Sequence, residues 1–105
     1  MPQYIAVAKT SEIPENSAIR AEIAGLPIAI YNLNGEFFAT DDTCTHAHAS
    51  LSEGQISGDE VVCPLHFATF DIRTGQCTGG PAFEDLRSYP VRVTGDTIEV
   101  LVSDQ

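Results

Sequence analysis

Two short words carry whatever chemistry this chain performs: Cys44-Thr45-His46 and Cys63-Pro64-Leu65-His66. Sixteen residues, 47 to 62, separate them. Each word holds one Cys and one His, and two thiolates with two imidazoles can hold one metal centre. In the first word Cys44 and His46 are two apart, too tight for both to project from one helical face. The second word allows a knuckle-like turn. Both therefore belong on loops that approach each other from different strands. Four ligand-type residues converging in loops have no packing reason to pair in this way. Two kinds of centre suit the set. One zinc ion takes all four ligands tetrahedrally. A two-iron cluster divides them, with both Cys on one iron and both His on the other. Zinc words of this composition usually keep the two Cys together and the two His together. Here each loop contributes one of each, which suits the divided centre.

The elements that must position these loops read as β throughout. Tyr4–Ala8, Ala18–Ile23, Ile28–Tyr31 and Glu36–Thr40 are predicted strands. In the second of them Ile19, Ala21 and Ile23 lie on one face, and Arg20 and Glu22 on the other. Pro27 sits where a strand begins and tolerates the missing N–H. Asn34-Gly35 is the clearest hairpin turn, because both residues accept positive φ. Gln55-Ile56 and Glu60–Val62 flank Ser57-Gly58 as a second hairpin that ends at Cys63. It would present both ligand loops at the same end. Thr69–Ile72 is a short strand, Cys77 to Glu84 is read as loop, and Ser88–Val93 with Thr97–Val102 forms a final hairpin. One helical turn at most is expected, near Ala49-Ser50-Leu51. Many short strands at regular spacing predict an antiparallel sandwich or small barrel.

With 105 residues, of which 43% are hydrophobic, the chain is expected to form a single domain with an ordinary core. No apolar run is long enough to span a bilayer as a helix. The N-terminal Met1-Pro2-Gln3-Tyr4 lacks the basic and apolar regions of a signal peptide, so a cytoplasmic location is expected. Fifteen acidic residues against five basic ones give a net charge of −10. That balance argues against nucleic acid and anionic membrane surfaces as partners, and permits steering toward a basic docking face. Cys77 lies outside both words, and a single cysteine beyond the ligands fits a reducing compartment.

The sequence resembles the Rieske family in its C-x-H word followed by a C-P-x-H word. Phe70-Asp71 is similar to that family's aromatic-Asp pair, and Gly79-Gly80-Pro81 to its proline-bearing loop over the cluster. The resemblance implies an all-β Rieske fold: an antiparallel β-sandwich or small barrel with an inserted cluster-binding subdomain at roughly 42–83. It also implies one [2Fe-2S] cluster held by Cys44, His46, Cys63 and His66, with the edges of the two His as the shortest path for an electron. Over nearly its whole length the chain resembles the Rieske ferredoxins of bacterial aromatic-ring-hydroxylating dioxygenase systems. These carry single electrons from an NAD(P)H-dependent flavoprotein reductase to the Rieske centre of a terminal oxygenase. The implied partners are that flavin-dependent ferredoxin reductase and that oxygenase, with the carrier monomeric when free. A zinc-bound interaction module and a Rieske small subunit of another redox complex, such as nitrite reductase, are the alternatives. A catalytic oxygenase is not built here: its mononuclear iron needs two more His and a carboxylate, and only His48 remains. No Ser–His–Asp set, phosphate loop or paired catalytic carboxylate is present, so no catalytic residue is expected.

His48 is read as an exposed loop residue, and Phe67 and Phe70 as packing that shields the cluster from water. Asp41, Asp42, Glu84 and Asp85 border the cluster end as solvated charge or as a partner-facing acidic rim. Matched to the respiratory members of the family, the two Cys of their inter-loop disulfide fall at Ala49 and Leu65. Their Ser and Tyr hydrogen-bond donors fall at Ala68 and Phe70. The disulfide and both donors are absent, which implies a low reduction potential.

Overall fold

Strand Leu26–Leu33 is the wall on which the molecule is built. Ile28 and Ile30 face one apolar core, with Ile13, Ile23, Ala39, Ile98, Val100 and Val102. The intervening Ala29, Tyr31 and Leu33 face a second core, with Leu51, Val61, Cys63, Ala68, Phe70, Ile72 and Leu86. A strand buried on both faces must be apolar at nearly every position, so Leu-Pro-Ile-Ala-Ile-Tyr-Asn-Leu lacks the alternation of a half-exposed strand. Its one polar interior side chain, Asn32, is satisfied on both ends: it donates to the Ile13 carbonyl at 2.7 Å and accepts from Gly35 N–H at 2.8 Å.

The computed structural model describes residues 3–43, 49–64, 67–79 and 85–102. They form eleven strands in three antiparallel sheets, with no α-helix among them. In chain order these are β1 (Gln3–Lys9), β2 (Ser17–Ile23), β3 (Leu26–Leu33), β4 (Glu36–Asp41), β5 (Gln55–Ser57) and β6 (Glu60–Val62). There follow β7 (Thr69–Asp71), β8 (Cys77–Gly79), β9 (Ser88–Tyr89), β10 (Val91–Thr94) and β11 (Thr97–Val102). The sheets run β1-β11-β10, β2-β3-β4-β9 and β5-β6-β7-β8. The first two enclose the first core, and the third sheet lies on the other face of β3. No helix among the described residues is long and apolar enough to cross a membrane.

Most expected elements appear where the pattern puts them, and three differ. Ser88–Val93 is not one strand. At Pro90 the chain leaves β4, which pairs with β9, and joins β11, which pairs with β10. Proline has no N–H for either ladder, so the break falls there. Cys77–Gly79, expected as loop, is β8 and pairs with β7 through Thr69 and Phe70. Two 3-10 turns occur where at most one helical turn was expected: one at Leu51–Glu53, slightly later than expected, and one at Thr10–Glu12.

One device ties the third sheet to the rest and another sets the spacing within it. Arg73 lies over the Phe38 ring at 4.8 Å and reaches Glu36 at 3.3 Å and Asp59 at 3.5 Å. Gly54 lets β5 approach β6 closely, since a Cβ there would collide with the backbone oxygen of Val62 and crowd that of Leu51 at 3.2 Å. Its φ of −80° is ordinary, so the contact alone demands glycine. Gly54→Ala is expected to destabilise the fold by about 1–3 kcal/mol, read as a lower denaturant midpoint. An unchanged midpoint would show that β5 can move aside.

Candidate metal centre

The second ligand word sits at the tip of the β6–β7 hairpin. Val62 pairs with Thr69, and beyond that pair Cys63 N–H donates to the Ala68 carbonyl at 2.7 Å. Phe67 N–H then donates back to the Cys63 carbonyl at 3.0 Å. These two bonds close the base of the segment between Cys63 and Phe67. Closure places Phe67 at φ +61°, in the left-handed region that a bulky side chain enters only at a cost of about 1–2 kcal/mol. The knuckle expected from the spacing includes Leu65 and His66, so its tip lies outside the described residues. Cys63 is 0% exposed and lies among Leu51, Val61, Ala68 and Phe70. Leu65 and His66 lie outside the described residues.

The residues that flank the first word are described on both sides. Cys44, His46 and His48 are outside the described residues, but Thr43 and Ser50 form an isolated antiparallel bridge around them. Leu51 N–H donates to the Asp42 carbonyl at 2.7 Å. The Asp42 carboxylate accepts Ser50 Oγ–H at 2.5 Å on one oxygen and Ser52 N–H at 2.8 Å on the other. Arg20 Nε lies 3.6 Å from the first of these oxygens. The two necks adjoin: Gln55 pairs with Val62, and a depression of ≈ 340 Å³ is lined by Glu53–Gln55, Val62–Pro64 and Phe67.

On the far side of β7, Gly79 pairs with Thr69, and the Asp85 carboxylate accepts Cys77 N–H at 2.9 Å. Gly80, Pro81 and Glu84 lie outside the described residues.

The side chains expected to border this end divide differently from the sequence reading. Phe70 is fully buried, as expected, but Phe67 is 71% exposed rather than packed inward. Its left-handed backbone turns the side chain away from the core that its apolar character suggested. Asp42 is 1% exposed and is not part of any rim. Asp41 accepts the Tyr89 hydroxyl at 2.6 Å and Arg87 N–H at 3.2 Å. Tyr89 is pushed up to about 12 by burial, and by the negative charge of Asp41 next to its hydroxyl. Tyr31, which shares a 2.8 Å hydrogen bond with Thr40, is also raised, mainly by burial. Three acidic residues read as rim charge thus hold backbone or side-chain donors. Sequence reasoning missed Arg20, Ser50 and Ser52. The only hint was Ser-Leu-Ser after the ligand loop, opposite the lone basic residue on the polar face of β2.

The described donors fit a sulfur-ligated cluster. Cys63, with its backbone fixed and apolar side chains around it, is placed as a thiolate ligand would need to be. Among the described residues no three His, Cys, Asp or Glu converge; three of the four expected ligands lie outside them.

Comparison with known proteins agrees with this geometry. Residues 3–90 match the family model described as the Rieske [2Fe-2S] domain. The ferredoxin component of a p-cumate 2,3-dioxygenase system from Pseudomonas putida is 47% identical over 102 residues, covering 95% of this chain and 86% of that protein. Among solved structures, a complex of reduced oxygenase and oxidized ferredoxin in carbazole 1,9a-dioxygenase contains a chain 35% identical to this one. It matches with a TM-score of 0.87, covering 92% of this chain and 91% of that chain. The ferredoxin of carbazole 1,9a-dioxygenase from Nocardioides aromaticivorans matches at 29% identity and TM-score 0.89, covering 93% of this chain and 96% of that one.

Proposed function

The chain belongs to the Rieske [2Fe-2S] domain family, and from that premise we propose that it is the electron carrier of an aromatic-ring-hydroxylating dioxygenase system. It takes single electrons from an NAD(P)H-dependent flavoprotein reductase and delivers them to the Rieske centre of a terminal oxygenase, in the cytoplasm. The observation that carries this reading is near full-length similarity to ferredoxin components of dioxygenase systems, at 47% and 40% identity with 86% and 90% of those proteins covered. Identity at that level over nearly the whole length, rather than coverage alone, favours a carrier over a zinc module or a nitrite-reductase subunit.

In this reading Cys44, His46, Cys63 and His66 hold one [2Fe-2S] cluster within a subdomain at roughly 42–83, built on the sheet β5-β6-β7-β8. When bound, the cluster supplies reversible one-electron transfer. Cys63 anchors its side of the site in a dry core, and the backbone bonds from Cys63 and Phe67 set the loop that carries His66. Phe67, exposed beside Pro64, gives the cluster end an apolar contact surface. A net charge of −10 supplies long-range steering toward a basic partner face.

The test is reconstitution with the reductase and terminal oxygenase of a p-cumate 2,3-dioxygenase system. The iron-loaded chain should show a Rieske spectrum and support product formation, and the rate of electron delivery should fall as salt rises. One mole of zinc and no acid-labile sulfide in the native protein would end this reading. Delivery indifferent to ionic strength would remove the steering component.

A further inference from the structure

We infer that Asp42 is a positioning residue for the iron–sulfur centre, its buried carboxylate latching the neck of the loop that carries Cys44 and His46. The inference rests on the proposed ligand set and goes beyond it, because Asp42 belongs to neither ligand word.

The contacts cross the neck in parallel. Asp42 ends the strand side, where its N–H donates to the Pro27 carbonyl at 3.1 Å and so fixes it to β3. The return arm is held to it three times: through Leu51 N–H at 2.7 Å, Ser52 N–H at 2.8 Å and Ser50 Oγ–H at 2.5 Å. The Ser50 proton is committed to the carboxylate. Ser52 Oγ, 2.8 Å from Ser50 Oγ, is therefore the donor in that pair, and the chain of bonds has one direction. From β2, Arg20 supplies the compensating charge at 3.6 Å. The latch thus joins strand β2, the end of β4 and the return arm around one carboxylate.

A carboxylate is a costly way to tie two segments together. Its desolvation is repaid only when every oxygen is well bonded, and an apolar residue of similar volume usually stabilises a fold as well or better. What the carboxylate adds is direction. Two oxygens bonded to two different residues of the return arm fix both its distance and its rotation, which apolar packing does not. Cys44 follows two residues after Asp42 in the chain. A crevice of ≈ 150 Å³, lined by Arg20, Asp42, Thr43, Ala49 and Ser50, lies over the neck, so the latch is within reach of solvent if it loosens.

The experiment uses the iron-loaded protein and two readouts that need no partner: the rate of cluster bleaching by an iron chelator, and the EPR g-values of the reduced state. Asp42→Asn keeps the size and removes one acceptor and the charge; bleaching should accelerate about tenfold or more. Ser50→Ala removes one bond and should give a smaller acceleration, about two- to fivefold. The double variant should fall short of the product of the two, because both changes break the same bond. Val100→Ala, in the core away from the loop, controls for lost stability and should leave the g-values unchanged, whereas Asp42→Asn should shift them. If Asp42→Asn does not fold, Ser50→Ala and Arg20→Gln carry the test. Bleaching rates and g-values no different from those of the Val100→Ala control would overturn the latch. Absence of acid-labile sulfide from the unaltered protein would instead take down the proposed function, and the latch with it.

Discussion

Cys63→Ser is expected to give a folded protein that is colourless and carries no acid-labile sulfide. Serine nearly conserves the volume of cysteine, so the bonds from Cys63 N–H to Ala68 and from Phe67 N–H to Cys63 should survive. The fold cost is that of a hydroxyl placed in a site with 0% exposure among apolar side chains, about 1–3 kcal/mol on mutational scales. The metal cost is far larger. A thiolate is available near neutral pH, whereas an alcohol must lose a proton at a pKa far above it. The substitution therefore removes one of four ligands while leaving its scaffold in place. Cys77→Ser is the matched control: Cys77 is half-buried on β8, one strand away from the hairpin that carries the ligand word. It should retain full iron and sulfide. Quantifying both elements in the two variants separates a ligand from a nearby cysteine. Full iron and sulfide in Cys63→Ser, with an unaltered visible spectrum, would remove Cys63 from the ligand set.

The contrast between Cys63 and Asp42 shows what the sequence can and cannot convey. Ligand words are legible because their chemistry is local: two residue types at fixed spacing mean the same thing wherever they occur. The strands are legible for a similar reason, as the alternation in β2 and the Asn34-Gly35 turn encode their own geometry, with Asn34 at φ +55° and Gly35 at φ +93°. Asp42 is different. As text it is one more acidic residue in a chain rich in them, next to Asp41, and solvent is the default reading. Its burial follows from three partners 8, 10 and 22 positions away, none of which forms a motif with it. Phe67 failed in the opposite sense. Its apolar character pointed inward, but the closure of the knuckle sets the backbone, and the backbone sends the side chain out. The break at Pro90 was visible as a proline, yet the sheet that each half joins depends on the arrangement of β4 and β11. Pairings between segments distant in the chain decide the cases of Asp42 and Pro90, and the closing of one short segment decides that of Phe67; a single sequence does not print them.

A reduction potential near the lower end of the Rieske range, about −150 mV, is expected for the iron-loaded protein. Hydrogen bonds to cluster sulfur stabilise the electron-rich reduced state and raise the potential. In the respiratory members that this chain resembles, a Ser and a Tyr supply them from the positions of Ala68 and Phe70. Neither side chain can donate here, and both are fully buried next to Cys63 in one apolar core. Burial in low dielectric disfavours the added negative charge of the reduced state, and the net charge of −10 acts in the same direction. The structure also refines what restoring the donors should do. Ala68→Ser adds one oxygen at the residue whose carbonyl already accepts Cys63 N–H. A bond that favours the reduced state by about 1 kcal/mol moves a one-electron couple upward by about 40 mV. Phe70→Tyr should raise the potential as well, but it forces a hydroxyl into a filled core. A stability loss of about 1–3 kcal/mol should accompany it. The double variant should show the largest rise, with neither change alone giving all of it. Voltammetry of the unaltered and substituted proteins reads these shifts directly. A native potential well above zero would contradict both the donor argument and the choice of a nicotinamide-driven carrier over a quinol-oxidising one, because a flavoprotein donor and an oxygenase acceptor require the carrier to sit low.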